Sequence, residues 1–264
     1  TRWTGDWSSD VCSSDLVAVV ASGNYLAGTV WPPILQYGME TIGWRQTHIL
    51  VGIGCVVTLV PLAFLLRRRV RFDDSTDPAT AVDDARALPV SKNTLQGMLI
   101  IAGFACCVAM SMPQVHMVAY CVDLNYGMAR GAEMLALMLG CGVASRLAAG
   151  FISDSIGGVG TLILSSFLQC LALLFYLPFD GLTSLYVVSA FFGLAQGGLV
   201  PSYAIIVREY FPAREAGTRV SLVLTATVVG MSFGGWISGE IYDMTQSYQA
   251  AFLNGIAFNV VNMS

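Results

Sequence analysis

The chain has 264 residues, 55% of them hydrophobic and only 11% charged, with a formal net charge of -4 and a mean hydropathy of +0.67. Soluble domains carry about 25% charged residues, so this composition excludes an ordinary cytosolic globular protein and assigns the chain to a lipid bilayer. Twelve of the thirteen basic residues are Arg, and none belongs to a basic patch interleaved with aromatics, which excludes nucleic acid as a partner.

Residues Thr1 to Leu16 are polar and carry a near-repeat, Ser8-Ser9-Asp10-Val11 and Ser13-Ser14-Asp15-Leu16, before an abrupt switch to Val17-Ala18-Val19-Val20. They lack the charged start, apolar stretch and small-residue cleavage site of a signal peptide. The stretch reads as a non-native artefact of the kind left by translated adaptor sequence, outside the fold. A hydrocarbon core of about 30 Å needs about 20 mostly apolar residues as helix. Eight segments meet or approach that length: Val17 to Gln36, Thr47 to Leu66, Leu95 to Val122, Glu133 to Ile152, Gly160 to Pro178, Leu182 to Val207, Ser221 to Ile241 and Gln249 to Ser264. All are predicted to be helices, because helices and closed barrels alone satisfy their backbone groups in lipid and the alternation of a barrel is absent. The predicted fold class is all-α, a polytopic membrane protein of about eight spans. The last segment stops inside an apolar run, so the chain reads as an internal piece of a longer protein.

Between the second and third spans, residues 67–94 hold Arg67, Arg68, Arg69, Arg71, Arg86 and Lys92 with five Asp and two Pro, the composition of a solvated connector. The connection after the sixth span adds Arg208, Arg214 and Arg219 on the same side by parity, against only Arg45 and Arg130 on the other. The excess marks the cytoplasmic side. Gly193 with Gly197, Gly230 with Gly234 and Gly235 with Gly239 lie one helical turn apart, a spacing that lets helix backbones approach closely in lipid. Pro32-Pro33, Pro113 and Pro201 interrupt three spans and are kink candidates.

The cysteines sit in or at the ends of apolar runs with no Cys-x-x-Cys pair and no His cluster, so they read as packing residues; neither a metal nor a cofactor is expected. No enzyme constellation is present: neither a Ser nucleophile paired with His, nor a His/Glu metal motif, nor a Gly-rich phosphate loop followed by Lys is credibly placed. Ionisable groups inside a membrane are costly and are functional candidates by default. Arg146 lies eight residues before Asp154, about 12 Å inside the helix end. It serves either a substrate or gate, or it snorkels to the interface or pairs with an acid elsewhere. His116 is the second candidate, either as a proton carrier or as a histidine hydrogen-bonded to a neighbouring helix. Asn24, Tyr25, Thr29, Gln114, Gln196, Tyr203 and Asn254 are weaker candidates to line a cavity.

After the fourth span, the run from Gly142 through Ser145, Arg146, Gly150, Ser153 and Asp154 to Gly157-Gly158 resembles the short cytoplasmic loop signature of the major facilitator superfamily. Gly150, Asp154 and Gly157 match the loop motif itself; Ser155, Gly158 and Val159 stand where family members usually carry basic residues. Gly43-Trp44-Arg45, the Arg-rich connector, Arg208-Glu209-Tyr210-Phe211-Pro212 and the stretch from Gly239 through Tyr242-Asp243 to Phe252 extend the likeness from Val17 to the end. On this resemblance residues 17–66 are the last two helices of a first bundle, 67–94 a cytoplasmic linker and 95–264 a second six-helix bundle whose last helix is cut short. Pro113-Gln114-Val115-His116, Asp123 and Arg146 resemble most the monocarboxylate and oxalate/formate branch. In that branch an Asp thought to take part in proton coupling typically stands one turn before the Arg, where this chain has Gly142.

The resemblance implies a secondary transporter that moves a small, monocarboxylate-like organic anion by alternating access, as symporter or antiporter, with a proton or a counter-anion as the coupled species. It implies a multi-pass protein of a bacterial inner membrane or plasma membrane, with Arg146, His116, Asn24, Tyr25 and Gln196 toward substrate. The competing readings are an exporter of drug-like compounds on the same fold and a membrane sensor or scaffold that does not transport.

Overall fold

The computed structural model describes the backbone of residues 11–66 and 91–263, with side chains described over 22–64, 91–212 and 215–263. Eight helical elements follow one another: α1 (Val11–Ile42), α2 (Trp44–Leu66), α3 (Lys92–Asp123), α4 (Met128–Phe175), α5 (Leu182–Gln196), α6 (Leu199–Tyr210), α7 (Ala213–Thr245) and α8 (Tyr248–Met263). There is no strand among the described residues. Five helical stretches among them are long and apolar enough to cross a membrane: Trp44–Phe64, Lys92–Asp123, Met128–Phe175, Leu182–Tyr210 and Glu215–Thr245. The protein is an all-α polytopic membrane protein.

Several boundaries differ from the hydropathy reading, three of them with consequences for the fold. The backbone of α1 is already helical at Val11, six residues before the expected start, while residues 1–10 of the expected artefact lie outside the described residues. Most of the expected linker, residues 67–90, also lies outside them; its last residues belong to α3, whose entry is capped by Ser91, the side-chain oxygen accepting the N–H of Thr94. The third difference concerns the fourth and fifth spans, which run together as α4. A straight helix of 48 residues would be about 72 Å long, more than twice the hydrocarbon core. Gly157 resolves this with φ 78 and ψ 168, a conformation that costs only glycine nothing. The chain reverses there, because Ala149 and Ser165, eight residues either side, both meet Gly198. The expected pair of spans is therefore present as a hairpin turned on a single residue.

The sixth span is in turn broken into α5 and α6 at Gly197-Gly198. Pro201, in the first turn of α6, has no N–H to return to the carbonyl of Gly197, so the hydrogen-bond ladder cannot run through. Pro113 and Pro32-Pro33, by contrast, are carried inside continuous helices.

From α3 onward the spans alternate in direction, with α4 supplying two and α5 with α6 together making one. Asp123, at the end of α3, accepts the hydroxyls of Tyr242 (2.7 Å) and Tyr248 (2.9 Å), which fastens α3 to the end of α7 and the start of α8. At the opposite end the Glu209 carboxylate of α6 accepts the N–H of Gly158, the first residue after the reversal (3.1 Å). Between these ends α3, α4, α5, α6 and α8 enclose a core of Met110, Met134, Met138, Leu185, Phe192 and Leu199, with the Tyr176 and Phe252 rings stacked at 4.8 Å. Backbone proximity holds it together, as small residues permit in lipid. A side chain on Gly193 would meet Cys141 of α4 at 2.9 Å, and one on Gly234 would meet the Val108 Cα of α3 at 2.7 Å. The third glycine pair behaves otherwise: Gly235 and Gly239 make only ordinary contacts, to Val115 and His116 at 3.5 Å.

Candidate functional site

Arg146 lies eleven residues before the reversal at Gly157, about 16 Å along α4 and hence near the middle of a 30 Å core. It is 4% exposed. Transfer of a guanidinium to that depth costs a few kcal/mol even by the mildest insertion scales, so the surroundings must return most of it. Tyr25 of α1 does part of this: the guanidinium carbon stands 3.8 Å from the centre of its ring, a cation–π contact worth about 2 kcal/mol when desolvated.

The contact exists because α1 and α4 pack antiparallel on small residues. A side chain on Gly28 would touch Leu139, and one on Gly140 would touch Thr29 at 3.3 Å. Gly142 lies one turn before Arg146 and therefore on the same face of α4. A Cβ there would sit 2.5 Å from the Tyr25 Cε1, so the ring occupies the space that any other residue at 142 would fill. Tyr25 is itself 4% exposed, and its hydroxyl reaches the Met110 sulfur of α3 at 4.0 Å.

The remaining candidates are dispersed. His116 donates through Nε2 to the Gly235 carbonyl oxygen of α7 (2.9 Å). Gln196 is fully buried at the end of α5 and accepts from Gln114 Nε2 of α3 (2.8 Å), beside the α5–α6 break. Asn24 is exposed, although its neighbour in sequence is buried. In the loop motif Gly150 is buried and its carbonyl accepts the Ser153 hydroxyl, Asp154 is exposed, and Gly157 makes the reversal. A cavity of about 290 Å³ lies between the two arms of α4 and α5, lined by Ala144, Ser145, Ala148, Ala149, Thr161 and Ser165; Arg146 does not line it.

A second polar cluster joins Tyr203, a candidate from the sequence, to Ser166, Asn259 and Asn262, which the sequence reading missed. Asn259 donates to the Ser166 carbonyl (3.1 Å), Asn262 to the Ser166 hydroxyl (2.7 Å), and Tyr203 to Asn262 Oδ1 (2.9 Å), which ties α8, α4 and α6 together. The i, i+3 spacing of Asn259 and Asn262 in an otherwise apolar span was the available signal. Among the described residues no group of His, Cys, Asp and Glu is arranged to hold a metal ion.

With the helix order, the reversal at Gly157 and the buried Arg in place, comparison with known proteins becomes decisive. The family model of the Major Facilitator Superfamily matches residues 1–184 and again 134–263. The chain belongs to this superfamily. It is 24% identical over 247 residues to monocarboxylate transporter 13 of Rattus norvegicus, covering 92% of this chain and 56% of that protein. It is 25% identical to monocarboxylate transporter 11 of Mus musculus (90% and 55%), and 21% identical to the MFS-type transporter opdF of Penicillium oxalicum (84% and 52%). The chain spans about half the length of the curated relatives it matches. Membership places this multi-pass protein in a transporter superfamily and not among enzymes.

Proposed function

We propose that this chain carries α1 and α2 as the last two helices of one bundle and α3 to α8 as the second bundle of a secondary transporter. Its substrate is a small organic anion of the monocarboxylate class, moved by alternating access in an inner or plasma membrane. The observation that carries the reading is Arg146, a guanidinium buried near the middle of the membrane at the junction of α1 with α4, where two bundles would rock against each other. The likeness to relatives named as monocarboxylate transporters supports the class of substrate.

On this reading Arg146 receives the carboxylate. Its planar fork matches a carboxylate through two parallel hydrogen bonds, which Lys cannot reproduce. A drug-like substrate without an acid group would gain nothing from that charge. In cells expressing the native gene, uptake of labelled lactate, pyruvate, formate and oxalate is the test. Arg146→Lys weakens uptake substantially and Arg146→Gln nearly abolishes it, at unchanged membrane expression. If the Gln variant reaches the membrane and carries its anion with wild-type affinity and rate, the anchor role is wrong.

A further inference from the structure

We propose that Tyr25 is a positioning residue acting through Arg146, and that Gly142 is the notch that admits it: the ring backs one face of the guanidinium and aims its N–H edge at an incoming carboxylate. This rests on the reading of Arg146 as the anion anchor. Arg has a long side chain with many rotamers, and ordering it when the anion arrives would cost affinity. Here the ordering is built into the protein. The Tyr25 ring touches Arg146 at 3.8 Å and, through its hydroxyl, the Met110 sulfur at 4.0 Å, and it lies in the space that a Cβ on residue 142 would need. The helix cannot retreat from the ring to make room for a larger residue at 142. On its other side α5 is pressed against it, where a side chain on Gly197 would come within 2.7 Å of the Gly142 carbonyl oxygen and 2.5 Å of the Ser145 Cβ. A guanidinium backed by a ring on one face has its N–H groups directed along the ring and away from it at the edges, so the contact constrains the direction in which Arg146 points.

The contact is one of α1 with α4, helices assigned above to different bundles. Any rearrangement that separates them therefore withdraws the ring from Arg146 and loosens its hold on the anion. Tyr25 thereby links the grip on substrate to the relative position of the two bundles.

Two readouts test this. The first is modification of Arg146 by phenylglyoxal in the purified protein, followed by mass spectrometry on the peptide that contains it, which needs no substrate. The second is uptake kinetics with the labelled carboxylates named above. Tyr25→Leu should speed modification of Arg146 and raise KM by up to about thirtyfold, the loss of a desolvated cation–π contact, with maximal rate little changed. Tyr25→Phe, which keeps the ring, should stay close to wild type in both. Gly142→Ala should match Tyr25→Leu in both readouts and lower expression as well, because its Cβ collides with the ring. The double variant Gly142→Ala/Tyr25→Leu relieves that collision, so it should recover expression while KM stays raised; a merely structural role would recover both. Wild-type modification and KM in Tyr25→Leu would overturn the proposal while leaving Arg146 as anchor. Faster modification in Tyr25→Leu combined with normal uptake by Arg146→Gln would instead overturn the anchor, and the positioning role with it.

Discussion

Gly193 offers the sharpest test of how this bundle is packed. A Cβ added there would lie 2.9 Å from the carbonyl carbon of Met138 and from the Cβ of Cys141, and closer still to the Met138 oxygen. Ordinary carbon contacts are about 3.5 to 4.0 Å. Neither neighbour is the free end of a flexible side chain, so Gly193→Ala must push α5 about 1 Å off α4. Overpacking of this size costs about 1 to 3 kcal/mol. At about 3 °C per kcal/mol, the scale for a domain of this length, the apparent Tm falls by about 3 to 9 °C. The measurement is thermal unfolding of the detergent-purified protein, followed by tryptophan fluorescence and by the fraction still monodisperse after heating. Gly217→Ala in α7 is the control, since nothing lies within 4 Å of its Cβ position and alanine favours the helix. If Gly193→Ala melts with the wild type, α4 and α5 are not in backbone contact and the close-packing account of this bundle is wrong.

Three further outcomes follow from single contacts. Asp123→Ala should lower Tm, and Tyr248→Phe should add less to it than it costs alone, because both act on one hydrogen bond; additive losses in a double-mutant cycle would refute the tie between α3 and α8. Glu209→Ala should speed hydrogen exchange at the Gly158 amide about tenfold, the loss of about 1.4 kcal/mol, whereas Glu209→Gln, which keeps an acceptor, should retain most of the protection. Equal exchange in both variants and wild type would remove the cap. In a cysteine-free background, Gly181→Cys should react with impermeant thiol reagents in intact cells and Ser155→Cys should resist them, as the distribution of Arg requires. Reversed labelling would invert the topology.

Arg146 shows how sequence and structure divide the evidence at the site. Its depth could be counted from Asp154 along an apolar run, because a helix advances a fixed distance per residue and lipid tolerates little else. Its neighbour could not, since Tyr25 lies 121 residues away and nothing in a linear pattern states which helices touch. Gly142 read as the lack of an acid; in the folded protein it is the space in which an aromatic ring sits. Sequence alone named no partner for His116, and the Gly235 carbonyl that accepts from it belongs to another helix, 119 residues away.

Hydropathy was enough to determine the bilayer and the all-α class, because each span must satisfy its own backbone in lipid and so behaves nearly independently of its neighbours. Glycine spacing marked Gly193-Gly197 and Gly230-Gly234 as contact surfaces, but it marked Gly235-Gly239 equally, and there only ordinary contacts formed. Which small residue meets a backbone, where one span breaks and another reverses, and which ring meets the buried charge are properties of pairs of helices. Only tertiary packing decided them, because in lipid the association of helices depends on shape and polar contact between specific surfaces, not on the hydrophobicity that each span shows by itself.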